Sequence, residues 1–257
     1  MIVMRIDLNA DVGESYGQFL VGEDSELFKF ITSANVACGF HAGDFNVMQK
    51  TVEQAAKQNI SIGAHPGFPD IQGFGRRAME MPPREIYNAV VYQIGALKQF
   101  CDIQGVPITH VKAHGALYNI AAVNQEVADA VAGAVYDAVP HAYLYGLANG
   151  ELIEAGKRIG LKTAAEAFAD RRYTAEGVLC SRRLTNAVLH TYKEVEKQVM
   201  DIVLNNQVQT ITGETISLQA TTICFHGDGE NVGNYTRLVR QALEAKAVQV
   251  SALGDII

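Results

Sequence analysis

Carboxylate and imidazole side chains recur in this 257-residue chain where short apolar runs end. Four of its seven histidines occupy such positions, more than chance scatter would place there. Carboxylates and imidazoles that share a pocket acquire pKa values suited to proton transfer, so these residue types predict acid/base chemistry. The candidate catalytic residues are Asp11, Glu14, His41, Asp44, His65, Lys112, His114, Asp170, Arg171, His226 and Asp228.

A divalent cation is an alternative for part of this set. Asp11, His41 and His65 could together ligate zinc, iron or manganese, because imidazole and carboxylate ligands suit these metals. Their spacing does not decide between a metal and acid/base work. Two structural roles also stay open. Asp44 precedes a helical pattern and could be its N-cap, and His114 could be a packed core histidine.

Three glycine-rich segments are candidates for phosphate binding. GFGRRA at Gly73 does not follow a strand, and GELIEAGKR at Gly150 lacks the P-loop spacing, so neither fits a nucleotide fingerprint. HGDGENVGN, which starts at His226, leaves an apolar run and opens the last helix, where free amides bind anions. The predicted phosphate-binding residues are Gly227, Gly229, Gly233 and Arg76. The neighbouring arginines could add phosphate contacts or could serve only solubility.

Other histidines and the cysteines are predicted to lie outside the site. His110 stands four residues before His114, which on a strand separates the two by roughly 13 Å, so they should not share a metal. We therefore expect His110 at the far end of the fold. Cys38 and Cys224 fall in apolar runs and are predicted to be packed thiols.

Seven apolar runs alternate with helical patterns, which predicts a parallel sheet with helices outside it. The runs span 4–13, 33–41, 60–67, 109–115, 142–150, 161–172 and 220–229. The helical patterns span 44–58, 83–101, 125–139, 151–159, 192–205 and 234–247. Several runs are apolar on both faces, as buried parallel strands should be. In such folds the active site forms where strands end and βα loops begin.

The length favours a closed or nearly closed α/β barrel over an open doubly wound sheet. We expect one domain over 1–257, with a small β-hairpin insertion over 208–220 that turns near Gly213. The chain is 48% hydrophobic and 19% charged, which is typical of a globular protein, and its net charge of −7 argues against nucleic acid as a partner. With no signal peptide and no apolar run near 20 residues, we expect a cytoplasmic protein without a membrane span.

Nine motifs in order resemble those of the LamB/YcsF family. They are DLNADVGE, SANVACGFHAGD, GAHPGFPD, FGRR, YQIGAL, VKAHGALY, FADRRY, ITGE and CFHGDGE. The resemblance implies a seven-stranded β/α barrel of the glycoside hydrolase/deacetylase type. It also implies one component of an ATP-dependent 5-oxoprolinase, the A subunit, which works with subunits B and C. This chain departs from the family pattern at Ala113, where proline is usual, and at 181–183, where Pro-Arg-Ser is common.

The implied reaction opens the lactam ring of 5-oxo-L-proline to L-glutamate while ATP becomes ADP and phosphate. Phosphorylation of the amide oxygen would make the carbon electrophilic, after which water adds and phosphate leaves. The 227–233 loop would hold phosphate, with Lys112, Arg171 and Mg²⁺ as the cations, and Asp11 and the histidines would form the acid/base or metal set. The alternatives are a metal-dependent hydrolase or deacetylase of a sugar or amide, and a non-catalytic subunit that binds the lactam.

Overall fold

Seven parallel strands close into a barrel in the computed structural model, which describes residues 4–226 and 231–255. The strands in chain order are β1 (Arg5–Val12), β2 (Ser33–Ala37), β3 (Ser61–His65), β4 (Ile108–Lys112), β5 (Tyr143–Leu147), β6 (Thr163–Phe168), β7 (Gln207–Gln209), β8 (Thr215–Ser217), β9 (Thr222–Phe225) and β10 (Gln249–Val250). The first six strands pair in sequence, β9 pairs with β6, and β9 also pairs with β1. Each predicted apolar run thus contains one barrel strand, and the predicted seven-stranded barrel is confirmed.

Helices cover the outside of this barrel. They are α1 (Asp24–Leu27), α2 (Phe45–Lys57), α3 (Pro83–Gln104), α4 (Gly115–Ala121), α5 (Gln125–Ala138), α6 (Glu151–Arg158), α7 (Tyr192–Asn205) and α8 (Val232–Ala245). On α2 the helical period places Met48, Val52 and Ala55 on the buried face. The helix α3 begins at a proline and ends before Gly105, whose φ of 70° suits the left-handed C-terminal position. The six predicted helices are confirmed to within a few residues.

The barrel interior is polar, which differs from the expectation of strands apolar on both faces. On β1 the residues Ile6, Leu8 and Ala10 are buried hydrophobics, while the alternating Asp7 and Asn9 hydrogen-bond to side chains of other strands. Since strand side chains alternate between faces, the acidic and amide groups fill the barrel and the aliphatic groups face the helices. The barrel is therefore closed around a hydrogen-bonded network.

Asp7 illustrates how that network compensates burial. Its carboxyl accepts hydrogen bonds from Thr32 and Ser33 at 2.6 and 2.7 Å, and from Tyr145 and Thr222 at 3.0 and 2.5 Å. Burial nevertheless raises the pKa of Asp7 above its ordinary value, although these hydroxyls oppose the rise. Four hydrogen-bond donors therefore hold this buried carboxyl in place inside the barrel.

Two small elements complete the fold. The strands β7 and β8 form an antiparallel hairpin whose turn contains Gly213 at φ 93°, as predicted. The short strand β10 pairs with the first two residues of β1, and β9 pairs with the residues that follow them. Neither β10 nor the short helices α1 and α4 were predicted from the sequence. Among the residues described, no helix combines the length and apolarity that crossing a bilayer requires.

Candidate active site at the C-terminal end of the barrel

The Lys112 ammonium lies inside the barrel among four acceptors. Its Nζ is 3.1 Å from Asp11 Oδ1, 2.9 Å from Glu166 Oε1 and 2.9 Å from Cys224 Sγ. Asn9 Oδ1 completes the set at 3.3 Å. All of these side chains are buried, so one lysine joins strands β1, β4, β6 and β9 across the barrel.

The charges in this group set one another's ionisation. Burial alone would raise the pKa of Asp11, but His65 and Lys112 hold it well below its ordinary value. Burial would likewise lower the pKa of Lys112, and Asp11, Cys224 and Glu166 outweigh it, so the pKa lies well above its ordinary value. Burial raises the pKa of Cys224, which keeps it a thiol. At neutral pH the group therefore contains an ammonium beside an ionised Asp11.

Three imidazoles and one carboxylate form a second cluster above Asp11. The ligand atoms of Glu14, His41, His65 and His114 lie within 4.8 Å of one another, and all four residues are buried. His41 stacks on His114 with ring centroids 3.7 Å apart, and His41 Nε2 is 3.3 Å from Glu14 Oε1. His65 Nε2 lies 3.4 Å from Asp11 Oδ1, which links the two clusters. This composition of donors is one that can hold a divalent metal ion.

Glycines in the loop after β3 let the backbone lie directly against these imidazoles. A Cβ on Gly75 would lie 2.6 Å from His41 Cβ and 2.8 Å from His114 Cδ2, and its φ is +64°. A Cβ on Gly67 would lie 2.8 Å from His41 Nδ1. Gln93 of α3 anchors this loop through two hydrogen bonds to the backbone of Gly67. Helix, loop and histidine stack are thus assembled as one unit.

Asp170 and His226 form a carboxylate–imidazole pair at the cavity. Asp170 Oδ1 lies 2.8 Å from His226 Nδ1, and the imidazole stacks on Phe168 at 5.3 Å. Burial would raise the pKa of Asp170, but His226 and nearby arginines lower it, so the carboxylate stays ionised and can orient the ring. Such a pair can donate or accept a proton at the free ring nitrogen.

Asp11, His65, His114 and His226 border one cavity of about 510 Å³ at the C-terminal end of the barrel. Lys112 and His226 are among its inner lining, and Arg76, Arg171 and Arg182 are among its cationic residues. Arg171 is buried and donates to the Cys180 carbonyl, while its Nε has no hydrogen-bond partner among the described residues. Burial and Arg182 lower the pKa of Arg171 to about 10, so it remains a cation at neutral pH. The cavity suits a small anion.

Other predicted site residues have different positions. Asp44 is the N-cap of α2: it accepts from the backbone of Asn46 and Val47 and also from Gly17. Gly233 is buried in α8, where a Cβ would lie 3.1 Å from Glu26 Cβ, so its lack of a side chain serves packing against α1. Asp228, Gly227 and Gly229 lie outside the described residues. Arg76 lies over the Phe74 ring at 4.9 Å and borders the cavity.

Several interior residues were not selected from the sequence. Glu166 and Cys224 contact Lys112, although Cys224 was predicted to be only a packed thiol. His110 is not at the far end. Its Nε2 lies 2.9 Å from Asn35 Oδ1, and Asn35 Nδ2 donates to Asp11 Oδ1 at 2.9 Å. His110 and Lys112 stand two residues apart on β4 and therefore share its inner face. This alternation is the sequence signal that could have identified His110 as an interior residue.

Comparisons with known proteins agree with this architecture. A model of the LamB/YcsF family matches residues 6–257. The A subunit of 5-oxoprolinase from Bacillus licheniformis is 50% identical over 250 residues, covering 97% of this chain and 99% of that protein. The protein of the same name from Bacillus subtilis is 47% identical over 253 residues, 98% of each chain.

Two solved structures place the fold. The crystal structure of a lactam utilization protein from Thermus thermophilus is similar at a TM-score of 0.91 and 41% identity, covering 97% of this chain and all of that chain. A T48 deacetylase with substrate has a TM-score of 0.50 at 10% identity, covering 99% of this chain and 90% of that one. The second likeness concerns the fold alone.

Proposed function

The chain belongs to the LamB/YcsF family, and from this we propose that it is the A subunit of an ATP-dependent 5-oxoprolinase. It opens 5-oxo-L-proline to L-glutamate, in the cytoplasm, with partner subunits B and C. The whole chain, 1–257, acts as one barrel domain. Relatives at about 50% identity that are named as the A subunit of 5-oxoprolinase support this assignment.

The observation that carries the proposal is the cationic cavity. Its volume of about 510 Å³ lies within the roughly 300–1,000 Å³ of small-molecule sites. The substrate bears a carboxylate, and phosphorylation adds a second anion. The buried Arg171, whose Nε has no hydrogen-bond partner in the described part of the chain, fits such groups together with Arg182, since guanidinium binds carboxylate and phosphate with paired hydrogen bonds.

The chemistry accounts for the need for ATP. A five-membered lactam is stabilised by amide resonance, and water attacks it slowly. Transfer of the terminal phosphoryl group of Mg²⁺-bound ATP to the amide oxygen releases ADP and makes the ring carbon electrophilic. Water adds to that carbon, and the C–N bond breaks as the ring nitrogen takes up a proton. A second water hydrolyses the resulting γ-glutamyl phosphate to glutamate and phosphate.

Residues of this chain take four roles in that sequence. His226, oriented by Asp170, delivers the proton to the departing ring nitrogen. Lys112 and Arg171 stabilise the negative charge that develops on the oxygen atoms. Asp11, with His65 beside it, accepts the proton of the attacking water. Gly227 and Gly229 contribute to phosphate binding, as the sequence predicts, and Asp228 stays a predicted catalytic residue.

The test is Asp170→Asn in the enzyme reconstituted with subunits B and C. We expect kcat for glutamate release to fall by about 10²–10⁴-fold with little change in KM, because the amide no longer fixes His226 for proton transfer. Asp137→Asn is the matched control, since Asp137 is exposed and its carboxylate accepts a hydrogen bond from the Tyr87 hydroxyl, away from the cavity.

Other results of these assays would favour other functions. Turnover of Asp170→Asn within twofold of wild type would remove the pair from catalysis and favour a non-catalytic lactam-binding subunit. Ring opening that proceeds without ATP and without B and C would favour the metal-dependent hydrolase. Glutamate and ADP released in equal amounts, only when B and C are present, supports the proposal.

A further inference from the structure

The buried cluster of Glu14, His41, His65 and His114 has the donors of a metal centre. Their ligand atoms lie within 4.8 Å of one another. Two ligands of one zinc ion, each at about 2.0–2.2 Å, lie at most about 4.4 Å apart. Because His41 stacks face to face on His114, its ring must also turn, in addition to shifts of a few tenths of an ångström, for all four to reach one ion.

Two backbone carbonyls fix the protons on two of the imidazoles. His65 Nδ1 is 2.8 Å from the carbonyl oxygen of Lys112, and His114 Nε2 is 2.8 Å from that of Phe74. A carbonyl only accepts, so both of these ring nitrogens carry the hydrogen. In the neutral rings, His65 Nε2 and His114 Nδ1 then carry lone pairs.

Those two lone pairs face each other. His65 Nε2 and His114 Nδ1 are 2.9 Å apart, a distance that requires either a shared proton or a cation between them. His41 Nδ1 is also buried and has no hydrogen-bond partner among the described residues.

We infer that Glu14, His41, His65 and His114 bind one divalent first-row transition metal ion of the zinc class. Three imidazoles and a carboxylate suit zinc, iron or cobalt rather than magnesium or calcium. The carbonyls of Lys112 and Phe74 orient the ligating rings, as groups hydrogen-bonded to metal-bound histidines commonly do. The inference concerns binding and does not depend on the proposed reaction.

The ligand set differs from the one expected from the sequence. Asp11 Oδ1 is held by Lys112 Nζ at 3.1 Å and Asn35 Nδ2 at 2.9 Å, so it stands beside the metal site as a neighbouring charge. A second group of donors, Asp11, Cys224 and His226, is also close. There the Lys112 ammonium lies 2.9 Å from Cys224 Sγ, and its charge repels a cation.

The experiment measures metal and not turnover. Chelator-treated full-length protein is titrated with Zn²⁺ by calorimetry and with Co²⁺ by visible absorption, and bound metal is counted by elemental analysis. We expect one ion per chain. His65→Gln and His114→Gln should each weaken Zn²⁺ binding by at least about 100-fold, since changes in merely supporting groups cost 10–100-fold. His141→Gln, at an exposed histidine, should bind as wild type does.

Two outcomes would overturn the inference. One is wild-type protein that binds no stoichiometric Zn²⁺ or Co²⁺ at micromolar concentration, a result that needs no variant to fold. The other is a stoichiometric ion that both glutamine variants retain with unchanged affinity, which would place it elsewhere. Circular dichroism of each variant confirms that it is folded. Because no assay uses lactam or ATP, failure of the metal site and failure of the proposed function are separate results.

Discussion

Lys112 is the residue on which the barrel interior depends most. There a buried ammonium lies within ion-pair distance of two buried carboxyl groups, those of Asp11 and Glu166. Pairs of this kind contribute little over an apolar core when intact, but removal of one partner leaves an uncompensated buried charge. The lysine is therefore a structural requirement as well as a cation at the cavity.

Lys112→Met should lower the free energy of unfolding by about 3–5 kcal/mol at pH 8. Without Lys112, only His65 and His226 still oppose the effect of burial, so the pKa of Asp11 rises and the cost is largest when the carboxylate must stay ionised. In the wild type, Asp11 contributes to the free energy of unfolding at pH values above its ordinary pKa. That contribution is lost as the pH falls through the lowered pKa. At pH 5 the wild-type contribution is still present, so the difference is smaller there only because Asp11 takes up a proton in the variant, as urea unfolding at the two pH values would measure.

Lys29→Met is the control for that measurement. Lys29 forms an ion pair with Glu26 at 2.7 Å, but both side chains are about half exposed. Exposed pairs contribute about 0–1 kcal/mol, so little change is expected at either pH. An equal loss in both variants, or a Lys112→Met loss that does not vary with pH, would contradict the account of the buried charges.

The histidines at strand ends and Asp11 could be predicted from the sequence, whereas Glu166 and Cys224, two other partners of Lys112, could not. His41, His65 and His114 follow apolar runs directly, and parallel strands bring such positions to one end of a barrel. Glu166 and Cys224 stand within strands. Whether they face the core of the barrel or the helices depends on how the sheet closes, which the periodicity of one strand does not determine.

At the level of elements, the loop after β3 is the part that shapes the site. Gly75→Ala should destabilise the protein more than Gly17→Ala. Both glycines have positive φ, at 64° and 55°, so both variants have about 1–2 kcal/mol of backbone strain. Only at Gly75 would the Cβ overlap His41 and His114, adding about 1–3 kcal/mol, whereas at Gly17 nothing lies within 4 Å. Urea unfolding of the two variants gives the comparison, and equal losses would contradict it.

The longer elements were predictable, and the short ones depended on tertiary contacts. The helix α3 has a proline start and a stripe of Ile86, Val90 and Ile94 that its sequence reveals. By contrast, α4 begins at Gly115, a poor helix former, and is held because Ala116 N donates to the Gly75 carbonyl. The strand β10 has two residues and exists through its pairing with β1. Neither α4 nor β10 therefore has a signal in its local sequence.

At the scale of the whole molecule, an apolar patch adjoins the site. Phe19 and Leu20, in the loop after β1, are 76% and 87% exposed, and Phe45 at the start of α2 is 72% exposed. This loop leaves the same barrel end as Glu14, and Gly17 N ties it to Asp44. If subunits B and C exchange a labile phosphorylated lactam with this chain, they must dock at this end.

Replacing both Phe19 and Leu20 with Ser should weaken association with the proposed partner subunits B and C at least tenfold. Stability should change by less than about 0.5 kcal/mol, because both side chains are exposed. Ile103→Ser is the control: Ile103 is 67% exposed near the C-terminal end of α3, at the opposite end of the barrel. Binding to immobilised B and C checks the prediction, and an equal loss in the control would contradict it.

Closure of the barrel through β9 also has a consequence for synthesis on the ribosome. Asp7 of β1 is hydrogen-bonded to Thr222 of β9, 215 residues later. The last barrel strand must therefore be synthesised before β1 can complete its pairing. At about 5–20 residues per second, that interval is roughly 10–40 s. During it, the nascent chain can keep Lys112, Asp11 and Glu166 hydrated. The cost of dehydrating these charges then falls at the final step, when every partner is present.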